Sequence, residues 1–142
     1  MQEFNLIPRV QASLAAAEDD IAMDIADAIH QQVDDNWQSG QDAQGAPWAP
    51  NAPSTIRAKG GSTPLVDSEE TREDMGTASV GGGVARYGPT TERAGKLLAI
   101  HEHGVPEKNI PARPVIGPAA DYGEDVAGRV AARSLARALK QL

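Results

Sequence analysis

The residues best equipped for chemistry stand close together between positions 101 and 114, in the run His-Glu-His-Gly-Val-Pro-Glu-Lys-Asn-Ile-Pro-Ala-Arg-Pro. On a strand, His101 and His103 would point to one side, whereas on a helix they would lie well apart. A metal site needs three or four ligands, and the remaining histidine, His30, sits in a distant acidic stretch with no second spaced motif beside it. Nucleophilic catalysis has no cysteine to use, and no serine lies in a Gly-x-Ser-x-Gly elbow. The expectation is therefore no catalytic residue, no metal ligand and no cofactor. The alternative from another class is a small metal-dependent enzyme using His101, His103 and nearby carboxylates. In the favoured reading His101 closes a helix or strand end beside Gly104, with its ring bonded to backbone or to a carboxylate, so that Ile110–Pro114 leaves in an extended path. Arg113, held between Pro111 and Pro114, presents a fork suited to a carboxylate such as Asp67 or an acidic residue of a neighbouring subunit; its plainer reading is a solvated arginine.

The elements that must position this run are legible to different degrees. Ile7, Val10, Leu14, Ala17, Ile21, Ile25, Ile29, Val33 and Trp37 form one stripe at helical spacing, which predicts a helix over about 6–37 with Pro8 in its first turn and Ser39-Gly40 as its stop. Its other side carries Glu18, Asp19, Asp20, Asp24, Asp27, Asp34 and Asp35. Val126, Val130, Leu135, Leu139 and Leu142 predict a C-terminal helix over about 121–142, with Arg129, Arg133, Arg137 and Lys140 as a basic row. Leu14, Ile21, Ile25 and Ile29 are expected to face Val130, Leu135 and Leu139 in one core. Residues 39–64 hold Pro47, Pro50, Pro53 and a lone Trp48, show no periodicity, and read as a long extended arm. Trp48 either folds back on its own core or anchors that arm on a neighbour. Lys59-Gly60-Gly61 lacks the rest of a phosphate loop. Over 65–117 we expect a short helix from Ser68, capped by Asp67 or Ser68, then a hairpin turning at Gly81–Gly83, a short helix ending at Gly104, and backbone kept extended by Pro111, Pro114 and Pro118.

Bulk properties narrow the function class. The 142 residues suit one domain, and the sum is α+β: long N- and C-terminal amphipathic helices packed with a small antiparallel sheet, plus the Pro/Gly-rich arm. A net charge of −7 argues against a general nucleic-acid binder, since phosphate contacts need clustered Lys and Arg. It suits a surface that DNA passes without sticking. The absence of cysteine excludes disulfides, and no apolar run is long enough for a membrane span or shaped like a signal peptide. A soluble protein is expected.

Four pieces carry a family resemblance in their order: APWAPNAPSTIRAKG at 46–60, TPLVDSEETREDM at 63–75, LLAIHEHGV at 97–105 and IPARPVIG at 110–117. The chain resembles the phage virion morphogenesis, or tail completion, family of tailed bacteriophages, of the Mu-like type. The resemblance implies a non-enzymatic structural protein of the neck or proximal tail that forms a ring, six subunits by analogy with the tail, through which double-stranded DNA passes without specific binding. It implies other copies of the chain, a tail tube or tail terminator protein and head connector proteins as partners, with no membrane; the location is the virion, and the host cytoplasm during assembly. A non-virion assembly chaperone is the neighbouring alternative. Within this frame Trp48, Ile56, Arg57, Lys59 and Arg113 are the expected subunit-interface residues, and Asp67, His101, Gly104, Pro111 and Pro114 the expected structural anchors.

Overall fold

The structure, a computed structural model, describes residues 7–61, 64–65 and 69–141. Two long helices form its spine: α1 (Ile7–Trp37) and, at the other end of the chain, α5 (Ile116–Leu139). They pack against each other, and the approach is close. A β-carbon on Gly123 would lie 2.6 Å from Ile29 Cδ1, so the missing side chain lets the two backbones meet. Further along, Asp24 of α1 accepts hydrogen bonds from Ser134 and Arg137 of α5. At that point the acidic helix and the basic helix pair within one subunit.

An antiparallel hairpin, β1 (Met75–Gly81) and β2 (Val84–Pro89), lies across α1. Thr77 Oγ1 donates to Asp27 at 2.8 Å, and the Gly83 amide at the turn donates to Asp19 at 2.7 Å. Acidic residues that sequence periodicity places on a solvated face thus hold the sheet. Tyr87 of β2 meets the His30 ring edge-on at 5.7 Å, and its burial, aided by the charge of Asp34, pushes the phenol well above its ordinary range.

The core gathers at the C-terminal end of α1. Val33, Trp37, Ala43, Trp48, Met75, Leu98, Val115 and Ala119 are buried together, with Ile29, Leu65, Tyr87, Ile116 and Tyr122 packed against them. The expectation that Leu14, Ile21, Ile25 and Ile29 face Val130, Leu135 and Leu139 in one core is corrected in part: Val130 is buried and α1 packs on α5, but not over the full length. Ile21, Ile25 and Ile29 are half-buried, while Leu14, Leu135 and Leu139 are exposed. The hairpin turn reaches α1 at Glu18 and Asp19, and residues 7–16, before that contact, are exposed throughout.

The described residues of 39–64 do not form one extended arm. After α1 the chain turns back on itself: the Asp42 carboxylate accepts from the amides of Gln44 and Ala46 at 2.9 and 3.0 Å, Asn36 Nδ2 donates to the Asp42 carbonyl, and the Trp48 amide donates to Gly40 O at 2.8 Å. This turn is built by a side chain mimicking backbone, which leaves no periodic trace. A short helix follows, α2 (Pro53–Lys59), with Pro53 at its start and Gly60 in left-handed backbone at its end. Proline at a first helical position loses no helix bond, so Pro53, read as part of an extended arm, marks a beginning.

Position-specific proline also explains the start of α5, at Ile116 and not near 121. Pro118, expected in extended backbone, sits in the first helical turn, where its missing N–H has no partner to lose. The short helix α3 spans Glu70–Glu73 with Glu69 before it; the caps expected at Asp67 and Ser68 lie outside the described residues. The helix α4 (Glu92–His103) is capped by Thr91, whose hydroxyl accepts from the Ala94 amide, and ends at Gly104 as the sequence predicts.

Candidate functional site

At the end of α4, His-Glu-His-Gly becomes a junction. Gly104 has φ of 70°, and its amide donates to Ile100 O. The chain then makes a 3-10 turn over Pro106–Lys108, closes a bridge between Val105 and Ile110, and returns across the end of α4. The Arg113 amide donates to the His101 carbonyl at 2.6 Å. This return path crosses so near Gly104 that a β-carbon there would stand 2.7 Å from Ile110 O and 2.8 Å from Ala112 N. Gly104 is therefore an anchor because of what it lacks. Pro111 and Pro114 hold the returning strand beside it, and the Pro114 carbonyl is itself a bonding group, described below.

The central side chain of the motif is Glu102. Its Oε2 accepts from the amides of Val115 and Ile116 at 2.8 and 2.9 Å, and its Oε1 accepts from Gly117 at 2.7 Å. Three free amides at the start of α5, and the positive end of that helix, are satisfied by one carboxylate from α4. Gly117 leaves it room, since a β-carbon would come within 2.9 Å of Oε1. Sequence reasoning took the histidines as the candidates and passed over Glu102. The signal was indirect: α5 begins after Val115, which has no side chain able to cap it. Glu102→Gln keeps the shape but offers an amide group to a site made of donors. It is expected to lower stability by about 1–2 kcal/mol in chemical denaturation, with α5 fraying first in amide exchange.

Two side chains lash the first half of the chain to this junction. Arg113 is 7% exposed; its Nε donates to Ala49 O at 2.7 Å and its Nη2 to Pro50 O at 2.9 Å. Its fork thus grips two successive carbonyls of the chain's own backbone, in place of a neighbour's carboxylate; the expected pairing with Asp67 lies outside the described residues. Burial lowers the guanidinium's pKa. Trp48 is 6% exposed, donates through Nε1 to Pro114 O at 2.9 Å and meets Trp37 edge-on at 5.5 Å. Trp48 and Arg113, expected at a subunit interface, are both bonded inside the subunit; Trp48 follows the alternative of folding back on its own core, with an apolar wall in Trp37 and a carbonyl in the returning strand. The remaining interface candidates lie on α2, Ile56 half-buried and Arg57 and Lys59 exposed.

His101 contributes its carbonyl and not its ring. The ring is half-buried, and among the described residues its buried Nδ1 has no hydrogen-bond partner, contrary to the expected bond to backbone or carboxylate. Burial first, then the charges of Arg113 and Lys59, lower its pKa. The folded protein therefore takes up a proton at this site at lower pH than the unfolded chain does. As pH falls below about 6.5 the unfolded state gains the proton first, so stability declines through the window down to the folded value and then levels off. His101→Gln is expected to flatten that decline in melting temperature between about pH 7 and 5, measured beside the parent protein. His103 is exposed, and among the described residues no group of three His, Asp or Glu side chains is placed to hold a metal ion.

Beside the junction lies a groove of about 890 Å³, between α2, α4 and the returning strand. Its apolar wall includes Trp37, Leu97, Leu98 and Ile110. Lys59, Arg93, His101, His103 and Arg113 also line it, and none of its described lining residues is Asp or Glu. Arg93 is held from outside by Glu70 and Asp74 at 3.1 and 3.3 Å.

A small core framed by two long helices and a two-stranded antiparallel sheet defines an α+β protein. The sequence profile of the phage virion morphogenesis family matches residues 5–135, and the chain belongs to that family of phage structural and assembly proteins. No curated protein and no solved structure matches it. Among the described residues no helix is long and apolar enough to cross a membrane.

Proposed function

We propose that this protein is a non-enzymatic component of the phage neck or proximal tail, a tail completion or head-tail joining protein that assembles as a ring, six copies by analogy with tail symmetry, through which DNA passes. The observation that carries the reading is family membership over residues 5–135. The net charge of −7 supports the passage of DNA without capture, since acidic faces repel phosphate. A subunit contact of the head-to-tail kind closes a ring when its rotation closes. The exposed residues Arg57 and Lys59 on α2, with Ile56 beneath them, are candidates for contacts with other copies, with a tail tube or tail terminator protein, or with head connector proteins. The protein would form in the host cytoplasm and remain in the virion.

Complementation of a phage lacking the gene tests this. Without the protein, electron microscopy should show separate heads and tails; with it, joined particles whose mass spectra contain the chain. Joined particles that lack the chain would make it an assembly chaperone, and joining without the gene would remove the proposed role.

A further inference from the structure

The two ends of α1 differ in a way the isolated fold does not use. Residues 7–16 are exposed, Val10 by 46% and Leu14 by 50%, and the first buried one among the described residues is Ala17. A helical overhang of this length is marginal alone in water, because short helices draw their stability from tertiary packing. Val10 and Leu14 are spaced i, i+4 and present an apolar edge. Behind them stand the exposed acids Glu18 and Asp20.

Near the other end of the same helix, at Trp37, lies the groove. Its described lining combines an apolar wall with the exposed Lys59, Arg93 and His103, in a chain whose net charge is −7. The sizes agree: two turns of helix about 10 Å across and 11 Å long fill roughly 900 Å³, against about 890 Å³ in the groove. The 31 residues of α1 span roughly 45 Å, which puts Val10 and Leu14 about 35–40 Å from the groove at Trp37. An overhang cannot fold back along its own rigid helix to reach that groove.

We infer that the overhanging start of α1 in one copy seats in the groove between α2 and α4 of a second copy, apolar edge against Leu97 and Ile110, with Glu18 and Asp20 meeting the basic rim. The contact rests on the ring reading, which it would supply with a head-to-tail joint between different surfaces. It also gives the exposed Lys59 of α2 a part in assembly without Trp48.

The chain contains no cysteine, so introduced pairs report cleanly. Val10→Cys and Ala112→Cys, both at exposed positions, would be made as separate variants, mixed and oxidised, in concentrated purified protein and in purified particles. The expected result is a disulfide-linked dimer from this mixture and none from Val10→Cys mixed with Ala136→Cys. A Val10→Lys/Leu14→Lys variant should melt like the parent and lower phage yield at least 100-fold in complementation. If the chain is present in joined particles, gives no Val10–Ala112 cross-link and works with both lysines, the contact is wrong and the ring reading stands. If the chain is absent from particles, the ring reading falls and the cross-link in concentrated protein alone decides the contact. A cross-link from Val10→Cys to a different virion protein would also overturn it.

Discussion

Trp48→Ala is expected to destabilise the isolated subunit by about 3–5 kcal/mol, a large part of the stability of a domain this size. The indole is buried against Trp37, in an edge-on pair whose ring centres are 5.5 Å apart, and its Nε1 donates to the Pro114 carbonyl at 2.9 Å. Its loss leaves a cavity in the centre of the core and a carbonyl without its donor. Thermal and urea denaturation of dilute protein would show the effect, with a fall in melting temperature on the order of 10 °C. Trp48→Phe fills most of the cavity and loses the hydrogen bond, so it should cost roughly 1–2 kcal/mol. An unchanged melting curve for Trp48→Ala, accompanied by failed assembly, would return the residue to a subunit interface and contradict the core described above.

Gly104→Ala is expected to cost about 2–4 kcal/mol, the sum of an L residue placed at φ 70° and ψ 175°, a region essentially reserved for glycine, and a collision that only backbone can relieve. The neighbours at 2.7 and 2.8 Å are Ile110 O and Ala112 N, which are tied down by the Val105–Ile110 bridge and the Arg113–His101 bond. Gly60 supplies the control. It shares the φ of 70° at the end of α2, but with ψ of 10° it lies in the milder left-handed helical region and meets nothing within 4 Å, so Gly60→Ala should cost only about 1 kcal/mol. Equal losses for the two variants in chemical denaturation would show that the close crossing at Gly104 contributes nothing.

The same pair of glycines shows where sequence reading stops. Gly104 is recognisable as a helix end from the residues before it, whereas Gly60 falls in the stretch read as an extended arm, and neither reveals in sequence whether another segment is pressed against it. Regular elements were legible because their information is local. The α1 stripe, the Gly81–Gly83 turn, the helix closing at Gly104 and the α+β class all follow from periodicity and turn chemistry. Leu14 and Ile29 belong to one periodic stripe, yet Leu14 is exposed and Ile29 packs on the core. Periodicity assigns a face and says nothing about how far along that face a partner extends.

Family membership and the architectural role of His-Glu-His-Gly were contained in the order of the short motifs. Tertiary structure decided which atoms perform that role. His101 serves through its carbonyl, Arg113 grips Ala49 and Pro50, and Glu102 caps a helix that begins 14 residues later at Ile116. Each of these bonds joins a side chain or carbonyl to backbone groups whose need is created only when two distant segments meet. A backbone amide looks the same in every sequence, so the place where it lacks a partner emerges only in the folded chain.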